Sequence, residues 1–520
     1  MKKFITAKEA AALIPDGAAV GLAGLGMSGW ADEIACAIRD RYLETGHPRD
    51  LNLKQGSAMG DHKRLRGLTR FGEVGPGLIT RWSGAHISSA GALRDLAAKN
   101  LIQCHCLPQG VIVNLWREIA AGRPGLLTKV GLGTFVDPRL EGGRMNDCTT
   151  DELVKLVEFE GEEYLFYKGF KLDVAIIRGT IADEDGNISF AHESIINEGL
   201  AVASAAKNSG GIVIIQVEYA AQKRSLNPKD INIPGVLVDY VVQATDPLAC
   251  WQAEDVYYDP SFSGQIRKPL STIDTLAFDE RKVICRRCAM EVTAGDVVNL
   301  GIGMPVEMSK VVAEEGYLDS MTLTTESGMI GGVPAALPNF GCAYNPDAII
   351  THGSMFDYID GGGLSLTCLG IGEIDRFGNN NVSKLGSRLT GPGGLINITR
   401  ATPKIVFCGT FSGKAEVKVG GGGVSVIKEG TIRKFVRDVE QITFAGQYIM
   451  PGQSILYVTE RCVFRLIDGK VTLVEIAPGI DMKKDILEQM GFTPEISSDL
   501  QLMDAGIFEE KWGGLGDYIS

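Results

Sequence analysis

Positive charge is scarce in this 520-residue chain, where 51 lysines and arginines face 64 acidic residues for a net charge of -13. Nucleic-acid binding needs a basic face to displace counterions from phosphates, so that partner is not expected. Long hydrophobic runs are missing as well. No apolar segment approaches the ~18 residues that cross a bilayer. Charge returns at Lys8 and Glu9 before a secretory core could form. A membrane partner is therefore not expected, and the cytoplasm is the expected compartment. Histidine is rare, with six in all, and H-E-x-x-H does not occur, so no metal site is expected. Eleven cysteines, an odd number spread from Cys36 to Cys462, read as reduced core thiols rather than a disulfide framework. Cys285-Arg286-Arg287-Cys288 is a solitary pair, and Cys104-His105-Cys106 is too compact for a tetrahedral site.

What is present is size and apolar content. At 520 residues with 45% hydrophobic and 22% charged composition, the chain exceeds what one core organises, and two large domains are expected. An early helix is predicted over residues 7–14, a strand over 18–23, then Gly24-Leu25-Gly26-Met27-Ser28-Gly29 and a helix over 31–43. This matches a dinucleotide-binding fingerprint, but the next strand, residues 51–55, lacks the acidic residue that would hold a ribose hydroxyl. The glycine loop can instead cradle a phosphate or acyl group. Residues 104–107 read as a strand ending in Pro108-Gln109-Gly110, with a helix after it. Residues 171–179 form the continuous apolar run of a strand buried on both faces, and α/β alternation continues through a helix near 201–207 and a strand at 211–217.

Residues 259–278 carry linker chemistry, including Asp259-Pro260-Ser261-Phe262-Ser263-Gly264. Beyond them the opening pattern recurs: a helix over 283–292, a strand over 297–300, then Gly301-Ile302-Gly303-Met304-Pro305. The turn Asp185-Gly186-Asn187 also has a later counterpart in residues 369–380. These matches suggest two halves of one α/β fold, residues 1–258 and 279–520. In the later half, residues 321–325 read as a buried strand that stops at Glu326-Ser327-Gly328, with Gly331, Gly332 and Pro334 following. An acid at a strand's carboxyl end is where open α/β sheets place ligands. A lone Glu-Ser-Gly more often marks an ordinary exposed loop. A hairpin is predicted at 416–419 and 424–427, and a final helix capped by Asp481 and stopping near Gly491.

Glu326-Ser327-Gly328 with Gly331-Gly332, residues 299–305, and Leu107-Pro108-Gln109-Gly110 together resemble family I coenzyme A transferases, within the succinyl-CoA:3-oxoacid CoA-transferase superfamily. The likeness is to the single-chain propionate or acetate type, and it extends through residues 134–139, 356–363 and 476–481. The resemblance implies two related open α/β domains with the active site between them. It implies exchange of CoA between an acyl-CoA and a short-chain acid such as acetate, propionate or butyrate, by a ping-pong route through a glutamyl-CoA thioester on Glu326. Gln109 and the backbone amide of Gly394 would then face the developing oxyanion, and Asn299 would orient the thioester. Gly301, Gly303, Gly24, Gly26 and Gly393 would let backbone approach the substrate. CoA is substrate here, no resident cofactor is implied, and a homo-oligomer, dimer or tetramer, is typical. An acyl-CoA hydrolase using the same glutamate and a non-catalytic acyl-CoA-binding protein are the alternatives. One departure is Trp30-Ala31-Asp32, where many relatives carry a proline-glutamate pair.

Overall fold

The computed structural model describes residues 3–57, 59–62, 66–269 and 275–519. Its frame is two sheets. The first is built from β1 (Ala19–Leu22), β2 (Leu51–Gln55), β3 (Ile79–Gly84), β4 (Gln103–Cys106), β5 (Val174–Arg178), β6 (Ile212–Val217) and β7 (Tyr240–Gln243). Their order is β7-β6-β5-β1-β2-β3-β4, and every pairing is parallel. β5 is buried at all five positions, as its unbroken apolar sequence requires when helices cover both faces.

The second sheet contains β8 (Val297–Leu300), β9 (Thr322–Thr324), β10 (Met329–Ile330), β11 (Ala348–Ile349), β12 (Leu366–Gly370), β13 (Lys404–Cys408), β14 (Ser454–Val458), β15 (Cys462–Ile467), β16 (Lys470–Ile476) and β17 (Glu495–Leu502). Its order is β11-β10-β9-β8-β12-β13-β14-β15-β16-β17. The parallel stretch β14-β13-β12-β8-β9 has the same connectivity as β7-β6-β5-β1-β2. The repeat read from the turn residues extends to individual hydrogen bonds. Asp183 accepts the amides of Asp185 and Asn187 at 3.0 and 2.9 Å, and Asn187 accepts the amide of Gly235 at 2.8 Å. Asp375 accepts those of Phe377 and Asn379 at 2.9 and 3.1 Å, and Asn379 accepts that of Gly446 at 2.9 Å.

Three helices matter for the site: α1 (Gln109–Ala120), α2 (His352–Asp360) and α3 (Leu395–Ala401). The apolar face of α1 buries Val111, Ile112, Leu115 and Trp116, which fixes its first residue at the sheet's end. α1 is tied to the later half. Asn114 donates to Asp357 at 3.0 Å and Arg117 donates to the same carboxylate, while the Gly110 amide donates to Asn397 at 3.0 Å.

One expectation needs correction. After Asp481, which does cap by accepting the Lys484 amide, the chain makes one wide turn over Met482–Ile486 and a 3-10 turn over Leu487–Gln489. The Gly491 amide is then taken by Phe435, and the chain becomes edge strand β17. No single helix runs to Gly491. Within the linker, Phe262 is buried with its ring 4.7 Å from that of Tyr344, and the Lys268 ammonium sits 4.0 Å over Tyr344. Residues 270–274 lie outside the described residues.

Candidate active site

Glu326 leaves β9 beside Asn299, because Asn299 and Thr324 are register partners in the parallel pair β8 and β9. The backbone turns at once. The Gly328 amide returns to Thr325 at 3.1 Å, and the Thr325 amide reaches Met329 at 3.1 Å. Gly328 has φ of +116°, and a Cβ there would lie 2.2 Å from the Ile350 carbonyl oxygen. Only glycine fits such a position. Ser327 is locked by donating to the Gly341 carbonyl, and Glu326 borders the cleft.

That cleft, about 300 Å³, draws lining residues from both halves: Gly26, Ser57 and Gln109 from the earlier one, Asn299, Glu326 and Gly394 from the later. Gln109 opens α1, is buried, and its backbone amide donates to the Gly393 carbonyl at 3.0 Å, while the Gly393 backbone amide donates to the Ala85 carbonyl at 3.0 Å. The loop of residues 391–394 thereby plugs onto the earlier sheet. A Cβ on Gly394 would stand 3.6 Å from the Glu326 Cγ, which places that loop against the carboxylate-bearing side chain. Asn299 is fully buried; its Nδ2 donates to Thr324 at 3.4 Å, and its Oδ1 has no protein partner among the described residues.

Seven of the nine residues expected at the site border the cleft: Glu326, Gln109, Gly394, Asn299, Gly301, Gly26 and Gly393. Gly24 and Gly303 do not. Gly24 closes its own turn, where a Cβ would meet the Ser28 carbonyl oxygen at 2.3 Å. Gly303 faces open space with φ of +88°. Trp30 and Asp32 also stay off the lining: the indole donates to Asp32 at 2.9 Å, and Asp32 pairs with Arg70 at 3.1 Å.

Burial pushes the Glu326 carboxyl above its ordinary range, with its own backbone amide and His352 pulling part of the way back. His352 was not legible as a site residue. It opens α2, is fully buried, and its Nε2 lies 3.0 Å from the Gln109 Nε2. Its Nδ1 lies 2.9 Å from Glu198. At the cleft's earlier-half wall, His62 pairs with Glu254 at 3.0 Å. His86 is pushed down to about 4 by burial, with His62 and Arg388 adding positive charge. No group of three or more metal-ligating side chains occurs among the described residues, nor does a helix long and apolar enough to cross a membrane.

Comparison with known proteins places this architecture. Residues 4–244 match the Coenzyme A transferase family. The chain is 63% identical to caffeate CoA-transferase of Acetobacterium woodii over 99% of both sequences. It is 38% identical to acetate CoA-transferase YdiF of Escherichia coli O157:H7, covering 97% of this chain and 94% of that one. The crystal structure of YdiF as a thioester complex with CoA superposes with a TM-score of 0.91 at 37% identity, covering 98% of this chain and 97% of the other. Full-length identity at this level, on the same two-sheet frame with a cleft drawn from both halves, shows that the chain belongs to the coenzyme A transferase family, enzymes that move CoA between acyl-CoA thioesters and free carboxylic acids.

Proposed function

We propose that Glu326 is the nucleophile that carries CoA between two acids. The observation that supports this most directly is a buried carboxylate with raised proton affinity, aimed into a cleft beside the donor-bearing residues Gln109 and Gly394. In the ionised form, an oxygen of Glu326 attacks the acyl-CoA carbonyl. The C–S bond breaks, giving a glutamyl–acyl anhydride and a CoA thiolate. The thiolate attacks the glutamyl carbonyl, the anhydride C–O bond breaks, and the first acid leaves as carboxylate. The acceptor carboxylate then attacks the glutamyl thioester, and the same two steps run in reverse. No proton is consumed. Each attack builds charge on a carbonyl oxygen, where the Gln109 carboxamide and the Gly394 amide act. The free Oδ1 of Asn299 offers an acceptor to the CoA arm. That YdiF forms a thioester complex with CoA supports the same intermediate here.

The acid we favour has an apolar body. Leu25, Leu337, Phe340, Leu369, Ile371 and Leu395 wall the cleft, and the 63% identical relative is named for caffeate, an aromatic acid that would cover such a wall. The acetate named for the 38% identical relative supports the short-chain reading, in which much of that wall meets only the CoA arm. Comparing kcat/KM for caffeate, butyrate and acetate as acceptors separates the two. The domain division at residues 258 and 279 and a homo-oligomeric state complete the proposal.

The deciding experiment incubates the protein with an acyl-CoA and maps CoA adducts by mass spectrometry. An adduct on the Glu326 peptide, removed by acceptor acid, is expected. Its absence, or CoA release at the same rate with and without acceptor, overturns transfer through Glu326, and the second result marks a hydrolase.

A further inference from the structure

We propose that the end of the cleft built by the earlier half is a hydroxyl-recognition subsite, in which Ser89 and His86 select an acid whose apolar body carries a hydroxyl. This rests on the reading of the cleft as holding an acid with an apolar body, and it adds what the far end of that body must bear.

The cleft is chemically divided. Beside Asn299 and Gly301, where the CoA arm is proposed to lie, its lining is Ile302, Leu369, Ile371 and Val382. The earlier half contributes instead Ser57, His62, His86, Ser89 and Glu254. Four of these five follow the carboxyl ends of β2 and β3, the edge at which parallel sheets bind ligands. The two loops touch, since a Cβ on Gly60 would lie 2.2 Å from the Ser89 carbonyl oxygen. The Ala85 carbonyl takes the Gly393 backbone amide at 3.0 Å, and the Ile87 amide donates to the Thr390 carbonyl at 2.8 Å. The segment bearing His86 and Ser89 is thereby joined to the loop that ends at Gly394, beside Glu326.

One hydroxyl in this group is unspent. Ser89 is buried, and its Oγ has no hydrogen-bond partner among the described residues. It stands two residues before the helix Gly91–Ala98, yet no side chain caps that helix, so local structure does not claim it. A buried hydroxyl without a partner is costly, and a ligand group that supplies the bond recovers that cost. His86 is the second partner. Burial keeps its imidazole neutral at pH 7, so the ring offers one donor and one acceptor. The Ser88 hydroxyl lies 3.0 Å from Nε2 and 3.4 Å from Nδ1, and one hydroxyl cannot satisfy both, which leaves a ring nitrogen for a ligand. A hydroxyl on the acid both donates and accepts, and so serves Ser89 and His86 together. A methyl or aryl C–H at the same place leaves both bonds unmade.

The test compares caffeate with cinnamate, the same skeleton without ring hydroxyls, as acceptors of CoA from acetyl-CoA. Wild type should favour caffeate by about tenfold in kcat/KM, the gain expected of one to two hydrogen bonds. In Ser89→Ala that ratio should fall to about threefold or less, and His86→Phe should lower it as well. A loss of packing alone slows both acids together and leaves the ratio where it was. A wild-type ratio below about threefold overturns the proposal, and so does a Ser89→Ala protein that keeps the full ratio. The wild-type comparison decides the matter even where a variant does not fold. Acetate is run alongside. If cinnamate outpaces acetate and caffeate gains nothing further, only the hydroxyl subsite falls; if cinnamate does no better than acetate, the apolar-body reading falls and takes the subsite with it.

Discussion

Glu326→Asp isolates position from chemistry, since it keeps the carboxylate and withdraws it by one carbon–carbon bond, about 1.5 Å. The backbone cannot advance to compensate. Gly328 already has the Ile350 carbonyl 2.2 Å from where a Cβ would be, and the Thr325 and Gly328 amides hold the turn closed. A misplacement of about 1 Å costs on the order of 10²-fold in rate. The variant should therefore lose at least about 10²-fold in kcat, or about 2.7 kcal/mol of transition-state stabilisation. Removing one buried methylene costs only about 1 kcal/mol of stability, so the protein stays folded and the effect is read on native enzyme. The assay follows acyl-CoA formation from an added acid at saturating substrate, with adduct formation measured in a single turnover. A folded Glu326→Asp protein within tenfold of wild type would refute the argument that a rigid turn places the nucleophile.

Because burial raises the Glu326 carboxyl above its ordinary value of 4.5, the ionised nucleophile is lost at a higher pH than for an exposed glutamate. The acid limb of kcat should accordingly lie above 4.5, and a limb at or below that value contradicts the burial argument. The same raised value means that the protonated side chain is favoured in the folded state and stability is lost as pH rises through it. Glu326→Gln should therefore be inactive yet melt higher than wild type at pH 7. Asp360, raised by burial from 3.8 to about 6, contributes stability that is present below pH 3.8 and gone above about 6, at most about 3 kcal/mol. Urea melts of Asp360→Asn should show a flatter pH dependence across that window. Gly110→Ala would set a methyl 2.4 Å from Phe356 and 2.6 Å from the Asn397 amide, at the joint between the halves, and should cost about 1–3 kcal/mol in a denaturant melt.

Strands of the parallel frame were readable where they stop at a glycine, since Gly24, Gly56, Gly179 and Gly301 each follow one within two residues. Residues 51–55 and 297–300 were placed to the residue. The hairpin Glu416–Gly420 and Gly423–Lys428 followed from alternation around four glycines. The last fifty residues were less readable, since Asp481 is a true cap on a helix that tertiary contacts cut short, and β17 is an exposed edge strand with little apolar periodicity. At the site, Glu326 and Gln109 announce themselves as polar groups at strand ends. Glu198 and His352 carry no local pattern, because their meaning lies in a contact across hundreds of residues that only the docked halves create.

The matching strand orders also identify which place in the earlier half corresponds to that of Glu326, the proposed nucleophile. Glu326 lies two residues beyond β9; two residues beyond β2, its counterpart, lies Ser57, and both border the cleft. A blueprint used twice has thus been given one reactive group and one bystander at the mirrored address. With Glu326 as the proposed nucleophile, a titration of adduct against protein should saturate at one CoA per chain.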